Sequence, residues 1–167
     1  MFPSDLLAQA EAMLEDLRKH GLKLATAESC TGGLIAALLT EIASSSDVVE
    51  RGFVTYSNAA KHEMLGVPEA MLAEHGAVSE PVVRAMAEGA LARSAADVAV
   101  AVTGVAGPDG GTAAKPVGLV HLAAARRGGP VLHRECRFGD IGRSEVRLAS
   151  VREALQLVSR AAGAATP

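Results

Sequence analysis

Asp97-Val98-Ala99-Val100-Ala101-Val102 is a nearly continuous apolar run with turn residues close behind it. A segment this short and this apolar reads as a β-strand buried on both faces, which requires helices packed above and below the sheet. The flanking pattern agrees. Leu6, Leu7, Ala10, Met13, Leu14 and Leu17 recur at helical spacing behind Pro3, with Ser4 as the expected N-cap and Gly21 as the stop. Leu22–Thr26 predicts a strand, Gly33–Ala43 a helix and Gly52–Tyr56 a second strand. Short helical segments follow over Ala59–Leu65 and Pro68–Glu74. A longer helix opens at Ser79 and Pro81, with Val82, Ala85, Met86, Gly89 and Ala90 on one stripe.

After the apolar strand comes a loop, Gly104–Pro116, rich in glycine and proline. Val117–Ala125 and Val131–Phe138 flank Arg126-Arg127-Gly128-Gly129-Pro130 and read as a hairpin. A last helix covers Arg143–Ala162, with Val146, Ala149, Leu155 and Val158 facing inward, and the small-residue tail from Ala161 to Pro167 is expected to fray. The expected fold is α/β: one domain over residues 1–167, a three-layer α/β/α sandwich. Its sheet is mixed, mostly parallel, and ends in the hairpin.

Composition narrows the function classes. Aromatic residues make up 2% of the chain, with no Trp and one Tyr, so base-stacking platforms are not expected. The net charge of −3 gives no electrostatic footprint for nucleic acid or a membrane surface. No signal peptide or membrane-length apolar stretch is visible, and two cysteines make no disulfide framework, so a reducing cytoplasm is the expected location. His20, His62, His75, His121 and His133 have no metal spacing, and no metal is assigned. Cys136 reads as packing.

Three segments carry chemistry. Glu28-Ser29-Cys30-Thr31-Gly32-Gly33 lies between an expected strand and an expected helix, where backbone N–H groups gather and can hold a phosphate or an oxyanion. An ordinary helix cap is the plain alternative. The glycine pair suggests close approach of a ligand. Either Ser29 or Cys30 can serve as nucleophile, since a helix N-terminus lowers a thiol pKa. Tyr56-Ser57-Asn58 with Lys61 forms a second polar cluster. A lysine there can deprotonate a serine only if burial or a cationic neighbour keeps it neutral. The third segment runs from Thr103 and Gly104 through Gly107, Gly110, Gly111 and Thr112 to Lys115. Its spacing matches neither a dinucleotide fingerprint nor a P-loop. A glycine-rich cradle for an anion or nucleotide stays open. Gly139-Asp140-Ile141-Gly142-Arg143 adds an arginine suited to a phosphate or carboxylate, or to an ion pair with Asp140.

Together Thr26–Gly33, Gly52–Asn58 with Lys61, Gly76–Ser79, Thr103–Thr112 and Lys115–Gly118 resemble the CinA C-terminal domain family, in its stand-alone nicotinamide mononucleotide deamidase form. The resemblance spans roughly Leu6 to Leu157. It implies conversion of nicotinamide mononucleotide to nicotinate mononucleotide and ammonia in pyridine nucleotide recycling, without a cofactor. By position it implies Ser29 as nucleophile, Lys61 as general base and Tyr56 beside them. Thr103 and Arg143 also match site positions. Cys30, Thr31, Gly32, Gly33, Asn58, Gly104, Gly107, Gly110, Gly111 and Thr112 complete the expected substrate-binding set. Larger relatives carry a further N-terminal domain, whose pyrophosphatase activity is expected to be absent here. Two departures stand out. Ser44 replaces a common glycine, and Arg143 falls two residues later than the usual Gly-Asp-Arg. The alternatives are a competence-associated, non-catalytic nucleotide-binding module and an amidase for another small amide. A homodimer is the expected assembly.

Overall fold

The computed structural model describes residues 1–163. The elements run α1 (Ser4–Lys19), β1 (Leu24–Glu28), α2 (Leu34–Glu41), β2 (Val49–Val54), α3 (Asn58–Leu65), α4 (Glu69–His75), α5 (Glu80–Ala92), β3 (Val98–Gly104), β4 (Leu119–Arg126), β5 (Val131–Arg137) and α6 (Arg143–Gly163). One five-stranded sheet has the order β2-β1-β3-β4-β5. β1 pairs in parallel with both β2 and β3. β3–β4 and β4–β5 are antiparallel, the latter being the expected hairpin.

The apolar run is buried on both faces, and its alternation divides the core. Val98, Val100 and Val102 pack with α1, α2 and α6. Ala99 and Ala101 pack with α5 and its neighbours, beside Ala25, Ala27, Ala123 and Ala125. The scarcity of aromatics is explained by this second face, where alanines let α5 approach the sheet closely. Gly89 extends the same logic, because a Cβ there would stand 2.0 Å from the Leu65 carbonyl oxygen.

Several boundaries differ from expectation. Pro3 occupies the N-cap of α1 and Ser4 is already helical. β1 starts two residues late and carries through Ala27 and Glu28, because it is hydrogen-bonded on both sides and pairing outweighs propensity. β2 starts at Val49 and stops at Val54, the partner of Glu28. Thr55 and Tyr56 therefore leave the sheet. Ser79 sits at the N-cap of α5, but its hydroxyl donates to the Gly76 carbonyl at 2.9 Å. Ala149 is half-buried, and Ser150, Val151 and Ala154 join the inner side of α6. Ala161–Gly163 continue that helix, with Ala161 and Ala162 buried, so this part of the expected frayed tail is helical. The remainder of that tail lies outside the described residues. Ser44 has φ 64°, the left-handed conformation for which glycine is the usual residue.

The topology creates a crevice. From β1 the chain crosses one face through α2 to β2 on one side. It then returns across the other face through α3, α4 and α5 to β3 on the other side. Ligands bind where such connections diverge, at the carboxyl ends of the strands. The segments following β1, β2 and β3 all meet there.

Candidate active site

Ser29 is the first residue beyond β1. Its N–H donates to the Val102 carbonyl at 3.0 Å, and its carbonyl accepts from Gly32 N–H at 2.9 Å, closing a tight turn. Gly32 and Gly33 have φ of 58° and 97°. The turn itself thus requires glycine, and close ligand approach is not needed to explain the pair. Beneath the turn lies the fully buried Glu28 carboxylate. It accepts from the N–H groups of Gly33 at 3.2 Å, Ile35 at 3.0 Å and Ala36 at 2.9 Å. The start of α2 is therefore filled by the chain's own carboxylate. At the first turn of α2 the expected external phosphate or oxyanion finds the N–H groups of Gly33, Ile35 and Ala36 already taken by an acid supplied from within.

Lys61 arrives from α3. Ser57 caps that helix by accepting from Ala60 N–H at 3.0 Å, and Gly66 closes it. The Lys61 side chain is the bulkiest of the fully buried ones, at 1% exposure. Nζ lies 2.9 Å from Ser29 Oγ, 2.9 Å from the Thr55 carbonyl oxygen and 3.5 Å from the Tyr56 carbonyl oxygen. No ion pair among the described residues includes it. Burial pushes the amine below its ordinary pKa, with the Cys30 sulfur opposing that shift. A neutral amine has two N–H groups and one lone pair. Nζ donates to the Ser29 hydroxyl and faces the two carbonyls; once neutral, it can leave its N–H groups on the carbonyls and turn its lone pair to the Ser29 hydroxyl proton.

Cys30 lies beside this pair but is not at a helix N-terminus, since α2 begins four residues later. Burial pushes its thiol up to about 11. The expectation of a lowered thiol pKa is corrected: the first-turn amides of α2 serve Glu28, and desolvation dominates at Cys30. Cys136 is half-buried and its thiol is likewise pushed up to about 11 by burial.

These groups form the floor of a pocket of about 280 Å³, at the small end of ligand sites. Its walls are Ala77 and Val78 before α5, Thr103 and Gly104 at the end of β3, and Val105, Ala106, Gly107, Asp109 and Gly110 of the glycine-rich loop. Thr103 Oγ1 donates to the Ala77 carbonyl at 3.0 Å, tying two walls together. Tyr56 and Arg143 stand at the mouth. Arg143 donates to the Gly107 carbonyl at 2.7 Å and to the Tyr56 hydroxyl at 3.0 Å. Arg143 thus joins the loop to Tyr56, and the expected alternative of an Asp140 ion pair is not formed.

The pocket brings together Ser29, Cys30, Tyr56, Lys61, Thr103, Gly104, Gly107, Gly110 and Arg143 of the expected set. Six others lie outside it. Thr31 is buried, and Gly32 and Gly33 are used by the turn. Asn58 lines a separate cleft between α3 and α4. Gly111 packs on Val117, where a Cβ would meet the Val117 nitrogen at 2.9 Å. Thr112 Oγ1 accepts from Lys115 N–H at 3.0 Å and braces the loop. The expected set left out Ala77, Val78, Val105, Ala106 and Asp109 of the pocket wall, although Gly76–Ser79 carried part of the resemblance, and it left out Arg147 of α6. Asp109 alone had a visible signal, a carboxylate among glycines. Among the described residues, no cluster of three or more His, Cys, Asp or Glu side chains could hold a metal, and no helix is long and apolar enough to cross a membrane.

Comparison with known proteins places these features in context. The family model described as the CinA C-terminal domain matches residues 7–162. A CinA-like protein of Akkermansia muciniphila is 63% identical over 129 residues, 74% of this chain and 31% of that protein. A putative competence-damage inducible protein of Symbiobacterium thermophilum is 59% identical over 128 residues, 77% of this chain and 30% of that protein. The chain spans about a third of the length of those two relatives. Against Escherichia coli K12 the match is to a protein named nicotinamide-nucleotide amidohydrolase PncC. It is 52% identical over 157 residues, covering 93% of this chain and 94% of that protein. The crystal structure of competence/damage inducible protein CihA from Agrobacterium tumefaciens superimposes with a TM-score of 0.92 at 60% identity. That match covers 94% of this chain and 95% of the other.

Proposed function

The chain belongs to the CinA C-terminal domain family, and from that premise we propose that it is an amidohydrolase converting nicotinamide mononucleotide to nicotinate mononucleotide and ammonia by a Ser–Lys mechanism. The observation that carries this reading is the buried Lys61 amine, without a carboxylate partner, 2.9 Å from Ser29 Oγ. The near-full-length match to a protein named for nicotinamide-nucleotide hydrolysis supports the substrate class.

In this mechanism Ser29 Oγ attacks the carboxamide carbon and its proton passes to Lys61 Nζ. The carbonyl electrons move onto oxygen. Collapse of the tetrahedral species breaks the C–N bond, and the Lys61 proton leaves with the nitrogen as ammonia. Water, deprotonated by the same amine, then opens the ester on Ser29 to give the carboxylate and restore the hydroxyl.

An oxyanion donor is available in the turn. A trans peptide points its C=O and N–H in opposite directions. With the Ser29 carbonyl held by Gly32 N–H, the Cys30 N–H faces away from the turn interior. No backbone carbonyl among the described residues accepts from it, its own sulfur being the one group it contacts, and Cys30 lines the pocket. At the mouth, Arg143 and the loop from Gly107 to Gly110 are assigned to the ribose phosphate, with Tyr56 orienting the guanidinium. The thiol alternative is disfavoured, because a group titrating near 11 is protonated at neutral pH.

Ammonia release from nicotinamide mononucleotide tests the reading. Wild type is expected to turn over, whereas folded Ser29→Ala and Lys61→Ala are not. Normal turnover by Ser29→Ala would remove the assigned nucleophile. Tight nucleotide binding by wild type without ammonia release would favour a non-catalytic module instead.

A further inference from the structure

Arg147 lies one helical turn beyond Arg143 on α6 but reaches behind the nucleophile turn rather than over the pocket mouth. Its Nε donates to the Cys30 carbonyl at 3.2 Å and its Nη2 to the Thr31 carbonyl at 3.0 Å. It takes part in none of the ion pairs among the described residues. A half-buried guanidinium is thus directed at two consecutive backbone carbonyls, more than a hundred residues away in the chain.

The guanidinium presents its donors in a rigid planar fork, and each peptide unit is planar. Two bonds from one fork therefore bear on two successive peptide planes, Cys30–Thr31 and Thr31–Gly32; the Thr31 carbonyl also accepts from Leu34 N–H at 3.0 Å, so the Cys30 carbonyl is the one that depends on Arg147. The plane before them, Ser29–Cys30, is held by Gly32 N–H on the Ser29 carbonyl. Three consecutive planes after the nucleophile are set. They place the Ser29 backbone and point the Cys30 N–H away from the turn, and from that backbone Oγ meets Lys61 Nζ at 2.9 Å. Glu28 secures the far end of the same turn through Gly33, Ile35 and Ala36. On the side facing α6, Arg147 supplies the hold.

We infer that Arg147 is a positioning residue for the Ser29 nucleophile, holding its turn through a two-point grip on the Cys30 and Thr31 carbonyls so that Oγ stays within reach of Lys61. The inference rests on the Ser–Lys reading above but not on the identity of the substrate. A grip of this kind acts on the reacting geometry. Its loss slows chemistry and leaves nucleotide binding at the pocket mouth intact. Lysine retains the charge yet offers a single point of attachment, so it recovers only part of the function.

The test compares wild type, Arg147→Met, Arg147→Lys and Arg152→Met. Arg152 lies on the same helix as Arg147, and its replacement removes a surface ion pair with Asp5 of α1 and serves as control. Two rates are measured for each. One is turnover of nicotinamide mononucleotide. The other is labelling of Ser29 by an alkyl fluorophosphonate, read by mass spectrometry, in which Oγ bonds to phosphorus and fluoride leaves. Arg147→Met is expected to lower kcat by about 10- to 100-fold and slow labelling in parallel. Its KM stays within about threefold of wild type. Arg147→Lys falls between, and Arg152→Met matches wild type.

Labelling of Arg147→Met at the wild-type rate overturns the inference. So does a loss of activity that merely follows the folded fraction measured by circular dichroism. If Arg147→Met is too unstable to purify, the same comparison is made with Arg147→Lys, and wild-type labelling by that variant counts against the two-point grip. Ser29 labelling that depends on Arg147, in a wild-type protein that releases no ammonia, rejects the substrate while the positioning role stands. Absence of Ser29 labelling in wild type rejects both.

Discussion

The floor and the mouth of the pocket are built in opposite ways. Ser29 and Lys61 at the floor are 8% and 1% exposed, and the elements around them are tied by Glu28, Ser57 and Arg147. Tyr56 at the mouth is 61% exposed, and its contact with Arg143 is a single hydrogen bond between exposed side chains. Groups that handle protons must keep a fixed separation and a dry surrounding, because burial disfavours the charged form of an amine and keeps it free to take a proton only while water is excluded. Groups that receive a charged, hydrated ligand can remain solvated until it arrives. The difference teaches that chemistry is preassembled at the floor, whereas recognition is left to the rim. Floor substitutions should then act on kcat and mouth substitutions on KM.

The largest expected effect is at the floor. Ser29→Ala should reduce kcat/KM for nicotinamide mononucleotide by about a thousandfold or more, measured as ammonia release by folded protein. A drop confined to KM would erase the distinction between floor and mouth. Lys61→Met should lower kcat by about a hundredfold or more and also change two pH profiles. Because the neutral amine is the base, wild-type kcat/KM should rise with pH and level off above an apparent pKa lower than that of an ordinary lysine. That limb should vanish in the variant. Burial lowers the folded-state pKa beneath the unfolded one, so the unfolded chain holds more protons between the two values. Unfolding free energy should therefore rise with pH through that window in wild type, and the rise should be missing in Lys61→Met. Denaturant melts at several alkaline pH values measure this.

At the mouth, Arg143→Met should raise KM by about tenfold, as expected for losing a charge-assisted bond to a phosphate. A kcat effect larger than the KM effect would move Arg143 to the floor group. The smallest change is expected at Cys30→Ala, where steady-state rates should stay within about threefold of wild type, because a thiol titrating near 11 contributes packing rather than a nucleophile.

Local pattern revealed what is local. The short, nearly continuous apolar run Val98–Val102 signalled a strand covered on both faces, and the strand–turn–helix context of Ser29 signalled a site. The approach of Lys61 to Ser29 was an expectation drawn from family likeness, since thirty-two residues separate them and no periodicity links strand end to helix face. Glu28 was hidden because its partners are backbone amides, which every sequence contains. Arg147 was hidden because its carbonyl partners lie far back in the chain. Ala77 and Val78 carry no chemical label and enter the pocket wall through the path of the chain into α5. Gly32 and Gly33 were read for ligand approach, and the structure adds a second reason for them, the positive φ that the turn itself requires.

Titration of the Lys61 side-chain amine by NMR in the folded protein, assigned by its absence in Lys61→Met, tests the preassembled base most directly. The expected result is a pKa clearly below the ordinary lysine value, with the neutral form carried by the hydrogen bonds to Ser29 and Thr55. A pKa at or above the ordinary value would mean that the amine is held as a cation, and Lys61 could not take the proton from Ser29.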